Sequence, residues 1–107
     1  MMRDKALSVN SVPIRLNAER WMHITIGHPE IADYYFNILQ VLESPETVYA
    51  GTRNELLAVR KLEDGSDKSI IVVYKEVSVD DGFVITAYLS NKLNELQKRT
   101  AVWQRQN

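Results

Sequence analysis

No cysteine occurs anywhere in the chain, which excludes disulfides, thiolate nucleophiles and thiolate-held zinc or iron–sulfur centres. That absence leaves the redox setting open between the cytoplasm and a cysteine-poor secreted environment. The polar start Met1-Met2-Arg3-Asp4-Lys5, with no secretory apolar core behind it, favours the cytoplasm. No apolar run is long enough to cross a bilayer, so no membrane association is expected. A net charge of −1 exerts no global pull on nucleic acid or anionic lipid, and any anion-binding surface must be local. Also missing are a glycine-rich phosphate loop, a Gly-x-Ser-x-Gly elbow and a His-Glu-x-x-His pair. The two histidines lie five residues apart without a carboxylate pattern around them, so neither a metal site nor a cofactor is expected. The acidic residues cluster in turns, around Glu63-Asp64 with Asp67 and Asp80-Asp81, where they serve solvation and turn chemistry and lend no support to a paired-carboxylate glycosidase.

What is present is an ordinary globular composition of one domain's length. Residues 1–11 lack periodicity and read as a mobile arm ahead of a single domain over residues 12–107. Val12-Pro13-Ile14-Arg15-Leu16 alternates like a short edge strand, a place where Pro13 leaves no ladder donor missing. Asn17 suits the cap of a first helix, which Gly27 and the bias of Pro29 against helical backbone at His28 should end. A second helix then starts at Pro29. Its stripe Ile31, Tyr34, Tyr35, Ile38, Leu39 and Leu42 faces the core, and Ser44-Pro45 stops it.

From Glu46 the apolar period shortens. Thr47–Ala50, Leu56–Leu62, Ile70–Val77 and Phe83–Leu89 read as four strands separated by glycine- and aspartate-containing turns. The expected fold is α+β, with N-terminal helices packed on one face of a roughly four-stranded antiparallel sheet and a short C-terminal helix from the helical propensity of residues 91–99, residues 91–107 being open between packing as a helix and adding a strand. Parity in the last hairpin assigns Ile70, Val72, Tyr74, Phe83, Ile85, Ala87 and Leu89 to the face under the helices. Val73, Lys75, Val77, Val84, Thr86 and Tyr88 fall on the other face, where a cation, a hydroxyl and a phenol form the floor of a shallow site.

Both histidines and a tryptophan lie within Arg20–Glu30. Transesterification of RNA without a metal needs a base for the 2′-hydroxyl proton, an acid for the leaving 5′-oxygen and cations for the phosphorane. His23 or His28 supplies the imidazole as base or acid. Lys75, with Arg53 and Arg60 from the preceding loop and strand, supplies phosphate contacts, and Thr86 or Tyr88 a hydrogen bond. About 140° separates the two histidines on one straight helix at 100° per residue, so they meet only if the chain turns at Gly27-His28-Pro29. Packing or capping by His28 and simple solvation of His23 are the other readings of these residues.

Arg15-Leu16, Arg20-Trp21-x-His23-Ile24, His28-Pro29-Glu30, Leu42-x-x-Pro45 with Val48, Ile71–Lys75 and Phe83–Tyr88 together resemble the phage-associated branch of the barnase–EndoU–colicin–RelE-like nucleases. The likeness spans residues 14–103. It implies a barnase- or RelE-like sheet preceded by helices, and a metal-independent endoribonuclease of toxin or mobile-element type. By position it implies His23, His28, Lys75, Thr86 and Tyr88 as site residues, with RNA as the partner and an antitoxin or other protein as a possible second one. The alternative is a catalytically inactive module of the same fold that binds nucleic acid or protein. A homodimer through an exposed strand edge is compatible with either.

Overall fold

The computed structural model describes residues 3–106. Its strands are β1 (Lys5–Leu7), β2 (Pro13–Arg15), β3 (Thr47–Ala50), β4 (Leu56–Lys61), β5 (Ser69–Ser78), β6 (Asp81–Ser90) and β7 (Ala101–Gln104). The helices are α1 (Ala18–Gly27), α2 (Tyr35–Glu43) and the short α3 (Asn94–Gln97), with a 3₁₀ turn at Pro29–Ile31. All seven strands join one sheet in the order β1-β2-β6-β5-β4-β3-β7. Every neighbouring pair is antiparallel except β2 with β6, which runs parallel.

This corrects the expectation of a roughly four-stranded antiparallel sheet with its helices gathered on one face. The four expected strands do form the antiparallel run β3 to β6, but a hairpin flanks it on one side and β7 on the other. The added strands are short and bury almost nothing on their own. Ala6 is the one buried side chain of β1 and Ile14 that of β2, while β7 packs only Trp103 against the core. A three-residue strand with one inward side chain has no readable period. Of the arm expected over residues 1–11, Met1 and Met2 lie outside the described residues, and Lys5–Leu7 form the outer strand. β2, expected at an edge, is paired on both sides; Pro13 sits opposite Leu7.

The helices take three positions. α2 lies on the core face and touches β1, β4 and β5. Strands that far apart in the order meet one nine-residue helix because the sheet curls around it. Val41 is therefore buried beside Tyr35, Ile38, Leu39 and Leu42, which widens the expected stripe. Ile31 is buried too, but on the 3₁₀ turn, so α2 starts later than Pro29. α1 instead lies along β6, beyond the point where β2 stops pairing with it. α3 sits on the opposite face, where Leu96 is buried against Leu57, Val59 and Ile71.

A β-bulge re-aims half of β6. Ile70, Val72 and Val73 face Leu89, Ala87 and Thr86, but Tyr74 faces Val84 and Lys75 faces Phe83. Ile85 is the extra residue, so the faces exchange beyond it. Val84, expected on the open face, is fully buried in the core, and Phe83, expected in the core, pairs across from Lys75 and is half-buried.

Tyr74 is fully buried, and its hydroxyl has no hydrogen-bond partner among the described residues. Burial, with the Glu76 carboxylate adding to it, pushes the phenol well above its ordinary 10.0. The unfolded chain thus releases this proton first, and stability falls by about 1.4 kcal/mol per pH unit once pH passes about 10, until the folded phenol also ionises. Tyr74→Phe should raise stability by about 1 kcal/mol at neutral pH, because an unpaired buried hydroxyl is removed, and should flatten the alkaline limb by one proton. Urea unfolding at neutral and alkaline pH measures both. A less stable variant at neutral pH would refute the assignment of an orphan hydroxyl.

Candidate functional site

β2 ends at Arg15, and Leu16 is wholly buried, so the chain is anchored just before it turns into α1. Asn17 caps that helix, its side chain accepting from the Arg20 amide at 2.8 Å. The cap sets the helix phase: Glu19, Arg20 and His23, at positions i, i+1 and i+4, line a cleft with Arg15, Asn17, Phe83 and Val84. The cleft measures about 450 Å³. Arg15 alternates with the buried Ile14 and Leu16, so it points away from the core. Its Nε and Nη2 donate to the two carboxylate oxygens of Asp81 at 2.9 and 3.3 Å, which fixes the guanidinium plane and leaves Nη1 without a hydrogen bond among the described residues. Arg20 Nη1 reaches the Ile85 carbonyl at 3.5 Å, the limit of a hydrogen bond. His23 is exposed. Asn17→Ala should cost about 1 kcal/mol through loss of the cap, readable as a lower urea midpoint; an unchanged midpoint would mean that the helix start is held by other contacts.

His28 belongs to a different neighbourhood. Gly27 ends α1 and His28 occupies its C-terminal cap, where its amide donates to the Ile24 carbonyl at 2.7 Å. Its ring lies over Tyr88, with centroids 5.5 Å apart and planes tilted by 30°, and its Nδ1 is 3.6 Å from Glu30 Oε2. The chain does turn at Gly27-His28-Pro29, yet the turn brings His28 to Tyr88 and not to the cleft that His23 lines. Burial raises the Tyr88 phenol, and Arg99 partly offsets this.

The other sequence-derived residues divide. Lys75 lies opposite Phe83, and Thr86 opposite Val73 on the same face. Tyr88 lies further along, opposite Ile71, at the rim of the patch under α3. Arg53 is exposed in the β3–β4 turn, where its amide donates to Glu55. Arg60 is committed elsewhere: Nη1 donates to the Ser44 carbonyl at 2.9 Å and Nη2 to Glu63 at 2.7 Å, which ties β4 to the end of α2. Sequence reasoning missed Arg15, Arg20 and Phe83 as lining residues. The alternation Ile14-Arg15-Leu16 and the i, i+3 spacing of Arg20 and His23 carry the signal for the first two. Nothing local marks the bulge that turns Phe83 outward.

Comparison with protein-family models, curated proteins and solved structures finds no match. The likeness to the nuclease family therefore rests on the sequence motifs alone. Among the described residues no three histidine, cysteine or acidic side chains converge as a metal site, and no helix is long and apolar enough to cross a membrane.

Proposed function

We propose that this protein is a metal-independent ribonuclease that holds a phosphodiester in the cleft between α1 and the β2–β6 pair. The observation that carries the reading is the grouping of one exposed imidazole, His23, with two guanidinium groups, Arg15 and Arg20, around a cleft large enough for a nucleotide. In this reading His23 takes the 2′-hydroxyl proton, the 2′-oxygen attacks phosphorus, and the P–O5′ bond breaks to leave a 2′,3′-cyclic phosphate. Water protonates the departing 5′-oxygen. Arg15 and Arg20 face the charge that builds on the phosphorane, where fixed donors stabilise it most. The motif Arg20-Trp21-x-His23-Ile24 adds support from the family resemblance.

A second reading, nucleic-acid binding without cleavage, is favoured by one observation. His28 lies against Tyr88 and Glu30, so the cleft has a single imidazole and no second one to act as acid. One experiment separates the two. End-labelled RNA, single-stranded and structured, is incubated with excess protein in chelator near neutral pH. Cyclic-phosphate ends that vanish with His23→Ala support the ribonuclease; saturable, salt-sensitive retention of intact RNA supports binding alone.

A further inference from the structure

We infer that the open face of the sheet beside the cleft is a platform for single-stranded RNA, with a base stacked on Phe83 and flanking phosphates held by Arg15 and Lys75. The inference rests on the RNA reading above and deepens it by naming the form of RNA.

Strand register carries the argument. Lys5 pairs with Arg15, Arg15 with Phe83, and Phe83 with Lys75. Paired residues project to the same face, so these four form one row across β1, β2, β6 and β5. An aromatic ring thus stands between two cations, with a third at the end of the row. The ring is there because of the bulge at Ile85: without it Phe83 would share the core face with Tyr74, and Val84 would stand in its place. The inward position is taken by Val84, which is fully buried. Bulges gather where a side chain must be re-aimed, and here the result is a partly exposed aromatic between cations.

The same face is closed further along. Leu93 and Leu96 cover Leu57, Val59 and Ile71, so the uncovered part is the end that bears the row, with Thr86 next to it. The acidic groups near the row include Asp81, which is paired with Arg15, Glu19 at the cleft, and Glu55, which precedes the Leu56–Tyr74 pair and so falls level with Lys75. Against them stand Lys5, Arg15, Arg20 and Lys75, a local excess of positive charge on a chain whose net charge is −1. Stacking needs a base freed from its partner, so an aromatic flanked by cations selects unpaired strands over a duplex, whose bases are already stacked. The row adjoins the cleft through Arg15 and Phe83, which line both. A strand seated on Phe83 thus delivers its neighbouring phosphodiester to His23.

The test is fluorescence anisotropy of the full chain with a short 2′-O-methyl RNA that cannot undergo transesterification, a duplex of the same sequence, and the matching single-stranded DNA. Phe83→Leu keeps the apolar volume and removes the ring, whereas Phe83→Trp keeps a ring. The single strand should bind at least about tenfold tighter than the duplex; Phe83→Leu should weaken it about tenfold and Phe83→Trp should not. Lys75→Ala should weaken binding and lower the salt slope by about one. Binding of the DNA strand as tightly as the RNA supports a platform that uses bases and phosphates alone. Equal affinity for duplex, or a Phe83→Leu variant that binds like wild type, overturns the platform. Phe83-dependent binding without cyclic-phosphate products from the wild type leaves the platform standing and removes the ribonuclease. Cleavage that depends on His23 with binding indifferent to Phe83 does the reverse.

Discussion

His23→Ala is expected to slow cleavage of single-stranded RNA in chelator by about 10²–10⁴-fold, the usual worth of a positioned acid or base, while His28→Ala leaves the rate near that of wild type. The contrast follows from where the two rings lie. His23 lines the cleft with Arg15 and Arg20, whereas His28 lies over Tyr88 with Nδ1 near Glu30. His23 is exposed on a helix, and alanine favours helix there, so a lost rate in that variant cannot be charged to unfolding. His28→Ala should instead show in stability, by about 1 kcal/mol for the lost ring contact. Product ends and urea midpoints for both variants read the two effects separately. A slow His28→Ala enzyme beside an unaffected His23→Ala enzyme would move the chemistry to the Tyr88 side of the molecule. Equal losses would require both imidazoles at one phosphate, against the separation found here.

Gly82→Ala should cost about 3 kcal/mol, near the top of the range for overpacking, although only one methyl group is added. Its Cβ would lie 2.5 Å from the Lys75 carbonyl oxygen and 2.6 Å from Ile14 Cδ1. The first is backbone held in the β5–β6 ladder, and the second belongs to a fully buried side chain, so neither can give way cheaply. β2 is joined to β6 at only two pairs, Ile14 with Gly82 and Arg15 with Phe83. The strain therefore falls on the joint that holds the N-terminal hairpin. That hairpin is otherwise tied to β5 through Ser8 and Asn10, which donate to the Glu76 carboxylate. The expected result is a lower urea midpoint together with early amide exchange at Ala6 and Ile14, and weaker RNA binding because Arg15 leaves its place beside Phe83. A midpoint within about 0.5 kcal/mol of wild type, an ordinary surface-substitution effect, would mean that the β2–β6 joint is looser than its geometry.

Several elements were legible in the residues because one local cause dominates each. The cap at Asn17, the end of α1 at His28 ahead of Pro29 and the stop at Ser44-Pro45 are decided by residues within a few positions. The antiparallel run from β3 to β6 follows from long apolar strands with turn residues between them. The second helix was harder: Ile31 is buried as its stripe requires, but it sits on a 3₁₀ turn, since burial of a side chain does not fix which helical hydrogen bonds its backbone makes. Among the site residues, Lys75 and Thr86 fall on the open face by parity alone. Arg60 is read as a phosphate ligand from its charge, which is visible in sequence; that the Ser44 carbonyl and Glu63 occupy two of its donors is not.

Alone, the sequence determined the chemistry available, two imidazoles, no thiol and a near-neutral net charge, and its apolar periods marked a core-facing helix and the four strands β3 to β6. These depend on composition and on neighbours a few residues apart. Only the tertiary structure decided that β1, β2 and β7 join the sheet, that the helices spread over a face, an edge and the opposite face, and that His23 and His28 part company. It also decided that Phe83 stands outward between Arg15 and Lys75. Each of these rests on pairing between segments distant in the chain, and one extra residue in a ladder, Ile85, is enough to exchange the faces of Val84 and Phe83.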